Sequence, residues 1–466
     1  MMRIRNLMLL LAVFVAVPLM AARGSADFTR FVAIGDSYGA GVESGSLNQN
    51  HQPFSWPAVI ARQAGVADFQ QPLVSFPGIG PELQLVDIIK FPPTILPAGT
   101  SNGQPINLML ARPYNNLSIP GATVNDVITL IGKEPANTTA RAFAQFILRG
   151  LGTEVDQALA QKPTFIAVWI GGNDALGAVL AGTPAVLTPL DAFKASYNSM
   201  LDKLTAGAPA AGMVVGNIPN NVLALPFLTT VPPVLIDPAT RKPVIGPNGQ
   251  PISLVADLGG GMIGPLPPGS LVLLPASAKI ATGVGIPKAL AQIPPFNQLP
   301  NVGEALKDTD VLTPAEQAVI KQRVDDFNTV ILQAAQQRDI PVADVKGLFD
   351  RLATRDPSGA LVGFNVGPIT LSSAFITGGA FSLDGFHMTD IGYTLFADEF
   401  IKAINNGYRS EIPLAPLTTF LANNISTTAS GLVFVPGMPY EVSAEAAQQM
   451  LMFAPKLRRG RAVIAH

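Results

Sequence analysis

Short, continuous apolar runs recur along this chain, each breaking off at glycine or small polar residues before a stretch with helical spacing. FVAI at 31–34, TFIAVWI at 164–170 and MVVGNI at 213–218 are the clearest. A run that is apolar at every position belongs to a strand buried on both faces. Strands of that kind, alternating with helices, build a parallel sheet covered by helices on either side. INLMLA at 106–111 and the segment 341–345 complete the expected set of about five strands. Helices are predicted over 53–65, 123–131 (where Thr123 can cap and Asp126 sits three residues on), 140–160, 313–338 and 390–405. The pattern implies an α/β chain: a three-layer α/β/α sandwich around a mainly parallel sheet.

The composition narrows what such a protein does. Only 13% of residues are charged against 48% hydrophobic, and the net charge is -2. A balance that even, with no long Lys/Arg stripe, excludes a nucleic-acid binder. There is no cysteine, hence no disulfide and no thiolate metal site. At the N-terminus Arg3 and Arg5 precede an apolar stretch from Leu7 to Met20 and the small residues AARGSAD. That stretch falls short of the ~20 residues a membrane-spanning helix needs, so 1–26 reads as a signal peptide cleaved after Ala26. The mature protein is expected to be exported, to the periplasm or beyond. Residues 27–410 form the expected folded domain, and 411–466 form an extension with a short basic cluster at Lys456, Arg458, Arg459 and Arg461.

Inside that domain, 219–303 stands apart, with six charges and sixteen prolines in 85 positions. A structureless loop of that length is improbable in a compact domain, so the segment is expected to be an ordered apolar insertion. It is a candidate lid over the active site, a candidate surface for transient lipid contact, or a proline-stiffened packing element. Oligomeric state is not legible.

A hydrolytic serine needs a base, a carboxylate that orients the base, and donors aimed at the developing oxyanion. The chain holds three histidines. His466 ends the tail, and His51 lies in polar SLNQNHQP, expected to be a surface loop. His387 sits in SLDGFHMTDIGY with Asp384 three residues before it, a spacing that lets the carboxylate reach Nδ1 while Nε2 faces outward. Ser37, in IGDSYG, follows the first strand's C-terminal end, where open α/β sheets bind ligands. Gly35 and Gly39 flank it and allow backbone to approach substrate closely. Asn173, in WIGGND, reaches the same sheet edge, as a helix cap or as an oxyanion donor. Gly121, in NLSIPGA, precedes a helix and is either a turn glycine or an exposed N–H donor.

Taken in order, IGDSY, NLSIPGA, GGND and DGFH resemble the four blocks of the GDSL, or SGNH, serine hydrolases, from about residue 29 to about residue 408. The resemblance implies Ser37 as nucleophile, His387 as general base and then acid, and Asp384 as its orienter. It implies an oxyanion hole from the N–H groups of Ser37 and Gly121 and the Asn173 side chain, with no cofactor and no metal. Tyr38 stands where the family usually has leucine, and Met388 where it often has proline, so pocket shape and substrate are where this chain departs. The expected function is a secreted carboxylic ester hydrolase acting on a small-molecule or lipid ester, hydrophobic acyl groups favoured. The alternatives are a carbohydrate O-acetyl esterase or a catalytically silent envelope binding protein on the same fold.

Overall fold

In the computed structural model the described residues are 24–417, apart from 88–92, 98–100, 222–223, 239 and 368, with three two-residue strands beyond them. The expected leader falls mainly on residues 1–23 and the extension mainly on residues past 417, outside the described residues. No helix among the described residues is long and apolar enough to cross a membrane.

Four parallel strands form the central sheet: β1 (Phe31–Gly35), β2 (Phe165–Trp169), β3 (Gly212–Gly216) and β4 (Val342–Ala343), side by side in that order. Phe31 pairs with Phe165 and Gly35 with Trp169, so β1 and β2 end level. The fifth position is filled by a single parallel bridge from Asn116 to Ala33, on the free side of β1. The expected strand at 106–111 is therefore misplaced. Ile106, Leu108 and Met109 are exposed at 51%, 41% and 93%, while the more polar Asn115–Ile119 stretch lies along β1 through Ala33 N–H to Asn115 O (2.8 Å) and Leu117 N–H to Ala33 O (2.9 Å). With that segment counted, the strand order is 2-1-3-4-5, and the chain reverses direction across the sheet between β1 and β2.

Each strand feeds two cores. Val32, Ile34, Ile166, Val168, Met213 and Val215 face one layer, formed by α3 (Thr139–Ile147), α4 (Glu154–Ala160), α5 (Asn173–Ala181), α6 (Leu190–Gly207) and α7 (Pro314–Gln337). Phe31, Ala33, Phe165, Ala167, Trp169 and Val214 face the other, formed by α2 (Trp56–Gln63), α8 (Val345–Leu352) and α9 (Asp390–Tyr408). The alternation is the period-2 geometry of a strand with apolar neighbours above and below, each large side chain contributing roughly 1.5–3 kcal/mol of burial. A first helix, α1 (Ser37–Ala40), is one turn long.

The 140–160 region is two helices rather than one. Arg149, Gly150 and Gly152 take φ of 56°, 72° and 117°, which a continuous right-handed helix excludes. The expected 123–131 helix is shorter, Asp126–Thr129, although Thr123 N–H and Oγ1 both donate to Asp126 Oδ2 as the spacing implied. Helix α7 starts as its sequence signals, with a capping box in which Thr313 and Glu316 satisfy one another's backbone. The 219–303 segment is ordered. It carries a hairpin (Val255–Asp257 with Ile263–Pro265) and packs through two small apolar clusters, one joining Leu254 and Ala256 to Leu306 just beyond the segment, the other its own Leu235, Ile286 and Phe296.

Candidate active site

The turn after β1 is set by Asp36, whose Oδ1 accepts from Tyr38 N–H (3.0 Å) and caps α1. Ser37 is thereby the first residue of a helix, with its own N–H at the positive end and directed to no protein acceptor among the described residues. Gly39 is glycine because a Cβ there would overlap Ser118 Oγ, and at Gly35 a Cβ would stand 2.8 Å from Trp169 O. Both glycines accommodate the protein's own neighbours, rather than substrate as the sequence suggested.

His387 arrives from the other end of the chain. Its Nδ1 lies 2.7 Å from Asp384 Oδ2, and both residues are buried. Asp384 is saturated with donors: Oδ2 also accepts from Gly45 N–H (2.8 Å), and Oδ1 from Phe386 N–H (3.0 Å), His387 N–H (2.8 Å) and Ser382 Oγ (3.2 Å). Burial opposes its ionisation, but His387 and these N–H groups outweigh burial and hold the Asp384 carboxyl below its ordinary value. The carboxylate fixes the ring with Nδ1–H towards Asp384, which leaves Nε2 as the acceptor. That atom is buried and has no hydrogen-bond partner, so no bond joins it to Ser37 Oγ.

Loop contacts across 340 residues of sequence lock the two blocks together. Ser44 N–H donates to Ser382 Oγ (2.9 Å), Leu383 N–H to Ser44 Oγ (3.4 Å) and Tyr393 OH to Val42 O (2.6 Å). The hydroxyl of Tyr38 donates to Phe386 O, immediately before His387. The Tyr38 ring is buried among Trp169, Tyr393 and Phe396, with centroids 4.9, 5.6 and 5.7 Å away, and 5.8 Å from the His387 ring. The residue that departs from the usual leucine is thus a tie to the histidine loop. Met388 is wholly buried in the core on the α9 side.

Asn173 begins α5 at the end of β2, across the switch point from Ser37. Its Nδ2 donates to Ala122 O (2.9 Å) and, more weakly, to Asp36 Oδ2 (3.3 Å). Burial, and then the nearby Asp174, push the Asp36 carboxyl up to about 8 despite the Tyr38 N–H it accepts. Gly121 takes φ of 82°, and its N–H donates to no protein acceptor among the described residues. Ser37, Gly121, Asn173 and His387 line one cleft of about 720 Å³; Asp384 lies behind His387. A smaller cavity of about 80 Å³ is also lined by Ser37 and Asn173, together with Tyr38 and Trp169. No described residue of 219–303 lines the larger cleft, although Pro219, Asn220, Asn221 and Leu225 line the smaller cavity; Phe227 N–H donates to Gly385 O (2.9 Å), and the Phe227 ring meets Phe386 edge-on, so the start of that segment buttresses the histidine loop.

His51 is not at the surface. It is buried between Glu43 and Asp390. His466 lies outside the described residues. The sequence reading missed Ser44, Gly45 and Ser382, for which a single sequence carries no signal, because they act through backbone and hydroxyl groups in turns.

The family model for GDSL-like Lipase/Acylhydrolase matches residues 31–400. No curated protein matches the chain. Among solved structures, the chain is similar to an extracellular lipase from Streptomyces rimosus, at 15% identity over 80% of this chain and 99% of that one, with a TM-score of 0.34. It is similar to a variant of an acetyl-xylooligosaccharide esterase from Geobacillus stearothermophilus, at 13% identity over 82% and 96%, TM-score 0.33. It is also similar to phospholipase A1 from Streptomyces albidoflavus NA297, at 15% identity over 82% and 100%, TM-score 0.31.

Proposed function

The chain belongs to the GDSL-like lipase/acylhydrolase family, whose chemistry is ester hydrolysis, and on that premise we propose that it cleaves carboxylic esters through an acyl-serine at Ser37. One observation carries this reading: a buried, unpartnered His387 Nε2, oriented through Nδ1 by Asp384, borders the cleft that Ser37 borders. His387 takes the Ser37 proton as Oγ attacks the ester carbon, returns it to the departing alcohol, and then activates the water that releases the acid. Such a bond from serine to histidine tightens when substrate fills the site. The oxyanion is met by the two free N–H groups of Ser37 and Gly121. Asn173 joins them by giving up its longer bond to Asp36, whose carboxyl is mostly neutral below pH about 8.

Hydrophobic acyl groups are the preferred substrates in this reading, because Leu47, Ile79, Phe143, Leu176, Leu180 and Phe386 line the cleft. The polar rim at Asp126 and Arg141 leaves a carbohydrate O-acetyl ester as the rival. Export is proposed from the leader alone, with its two arginines ahead of the apolar run.

Labelling with a fluorophosphonate tests the reading at its centre. Wild type is expected to label and Ser37→Ala is not; equal labelling overturns the nucleophile and revives a silent binding protein. A series of p-nitrophenyl esters set beside acetylated xylan tests the substrate class. Acetate release from xylan alone, with no turnover of longer acyl esters, overturns the hydrophobic preference.

A further inference from the structure

Outside the cleft, four titratable side chains converge in the interior. Glu43 follows α1, His51 and Glu82 come from the two loops beyond it, and Asp390 opens α9, three residues after His387. Glu43 is 0% exposed, and Glu82, His51 and Asp390 are buried around it. His51 Nδ1 lies 3.1 Å from Asp390 Oδ1 and 3.3 Å from Glu43 Oε2, and these three donor atoms all fall within 4.8 Å of one another. On the far side of the ring, Nε2 lies 3.4 Å from Glu82 Oε1, and Glu82 Oε2 accepts from Asn48 Nδ2 (3.4 Å).

Hydrogen bonding alone does not satisfy this group. Nδ1 carries at most one proton, which serves Asp390, and neither Glu43 oxygen has a hydrogen-bond partner. Among the described residues the one imidazole is the only cationic partner of these three carboxylates. Fully buried carboxylates left unpartnered are among the most unfavourable groups a core can hold. The distances are also long for charge-assisted hydrogen bonds, which run about 2.7–2.9 Å. The two edges at His51 Nδ1, 3.1 and 3.3 Å, do match a coordination shell, since ligands about 2.0–2.1 Å from a tetrahedral zinc stand about 3.3 Å apart, and the third edge lies within 4.8 Å.

We propose that Glu43, His51 and Asp390 bind a divalent transition-metal cation, each acid through one carboxylate oxygen and the imidazole through Nδ1, with zinc the cation this N/O donor set suits best. Glu82 is then the outer carboxylate that accepts from Nε2–H and fixes the ring, the arrangement typical of a metal-bound histidine. Two carboxylates neutralise the dication. Binding displaces the Nδ1 proton, and any proton on Glu43, to solvent, so affinity rises with pH. None of the four residues lines the cleft, so the cation acts on structure: it straps the loop after Ser37 to the helix after His387.

The test is made on the purified chain, stripped with a chelator and titrated separately with zinc, manganese and calcium chlorides in a calorimeter, with melting curves recorded in parallel. One equivalent of zinc is expected to bind and to raise Tm by several degrees. Glu43→Gln is expected to weaken binding at least ~100-fold, and Glu82→Gln, which leaves all three ligands in place, about 10–100-fold. No uptake and no change in Tm for wild type overturns the site, and unchanged zinc affinity in Glu82→Gln overturns the outer-carboxylate assignment. Tighter calcium than zinc binding overturns the choice of cation. Hydrolysis is not the readout, so the result stands whether or not Ser37 proves to be a nucleophile.

Discussion

Replacing Asp384 by asparagine is the change whose outcome the hydrogen bonds constrain most fully. The carboxylate accepts from Ser382 Oγ, Phe386 N–H and His387 N–H at Oδ1, and from Gly45 N–H and His387 Nδ1 at Oδ2. Asparagine has one acceptor and one donor for these positions. With its oxygen at the Oδ1 position, its amide meets one opposing backbone N–H, that of Gly45. With its oxygen at the Oδ2 position, it meets two, those of Phe386 and His387. Each unsatisfied buried donor costs roughly 1–3 kcal/mol, so the first orientation prevails. In that orientation the amide donates to Nδ1, and the ring proton must move to Nε2, where it blocks acceptance from Ser37. The imidazolium formed during attack also loses its carboxylate. Together these effects predict a fall in kcat of about 10⁴-fold, the size seen when such a carboxylate is replaced and the wrong tautomer results. Gly45 is an exposed residue, so water can serve its N–H and the stability loss should be no more than about 1 kcal/mol. Hydrolysis of p-nitrophenyl butyrate and a urea unfolding curve measure the two separately. A folded variant that retains kcat within about tenfold of wild type would refute the orienting role of Asp384, since the tautomer argument predicts a far larger loss.

Two further outcomes follow from buried groups. Tyr38→Phe keeps the ring among its aromatic neighbours and removes only the bond to Phe386 O, so it should lower unfolding free energy by roughly 1–2 kcal/mol; an unchanged denaturation midpoint would show that the bond contributes nothing. Burial raises Asp398 to about 6 in the folded chain, from an ordinary value of 3.8. The unfolded chain therefore releases this proton first, and the stability contribution falls as pH rises from about 4 to about 6. Asp398→Asn keeps an acceptor for Ala415 N–H (2.9 Å), so its Tm should exceed that of wild type at pH 7 and converge on it near pH 4; a constant difference across that range would contradict the shift.

Sequence reading reached the parts of the fold that hydrophobicity encodes. Strands β1, β2 and β3 are apolar on both faces because both faces are covered, and the pattern says so directly. It failed where polar side chains do structural work. Asn115 Nδ2 donates to Phe31 O, and Asn116 Nδ2 donates to Gly39 O and Gln71 Oε1, so the segment along β1 is built from residues that look like a loop. INLMLA looked like a strand and lies exposed. His51 was misread for a similar reason: its polar neighbours Asn48 and Gln52 are themselves buried, and Gln52 bridges Pro72 O and Val74 N–H. The candidate site was legible as four short blocks in order, two of which, at Ser37 and Asn173, follow strands that end level at one edge of the sheet.

What the blocks could not convey is how residues so far apart in sequence come to share a cleft. The sheet positions Ser37 and Asn173, since β1 and β2 end level and the chain reverses between them. It does not position His387, which hangs from a loop with no strand of the central sheet behind it. Its place is set by the segment directly after α1. Val42 O, Ser44 and Gly45 N–H bond Tyr393, Ser382, Leu383 and Asp384, and Glu43, between them, faces His51 and Asp390. Successive residues of one short loop thus hold the acid that orients the base and close on the helix that follows it. A change anywhere in 42–45 should therefore disturb the alignment of His387 with Ser37 more than an equal change in the sheet. These contacts bridge the two halves of the machinery, whereas the strands carry only one.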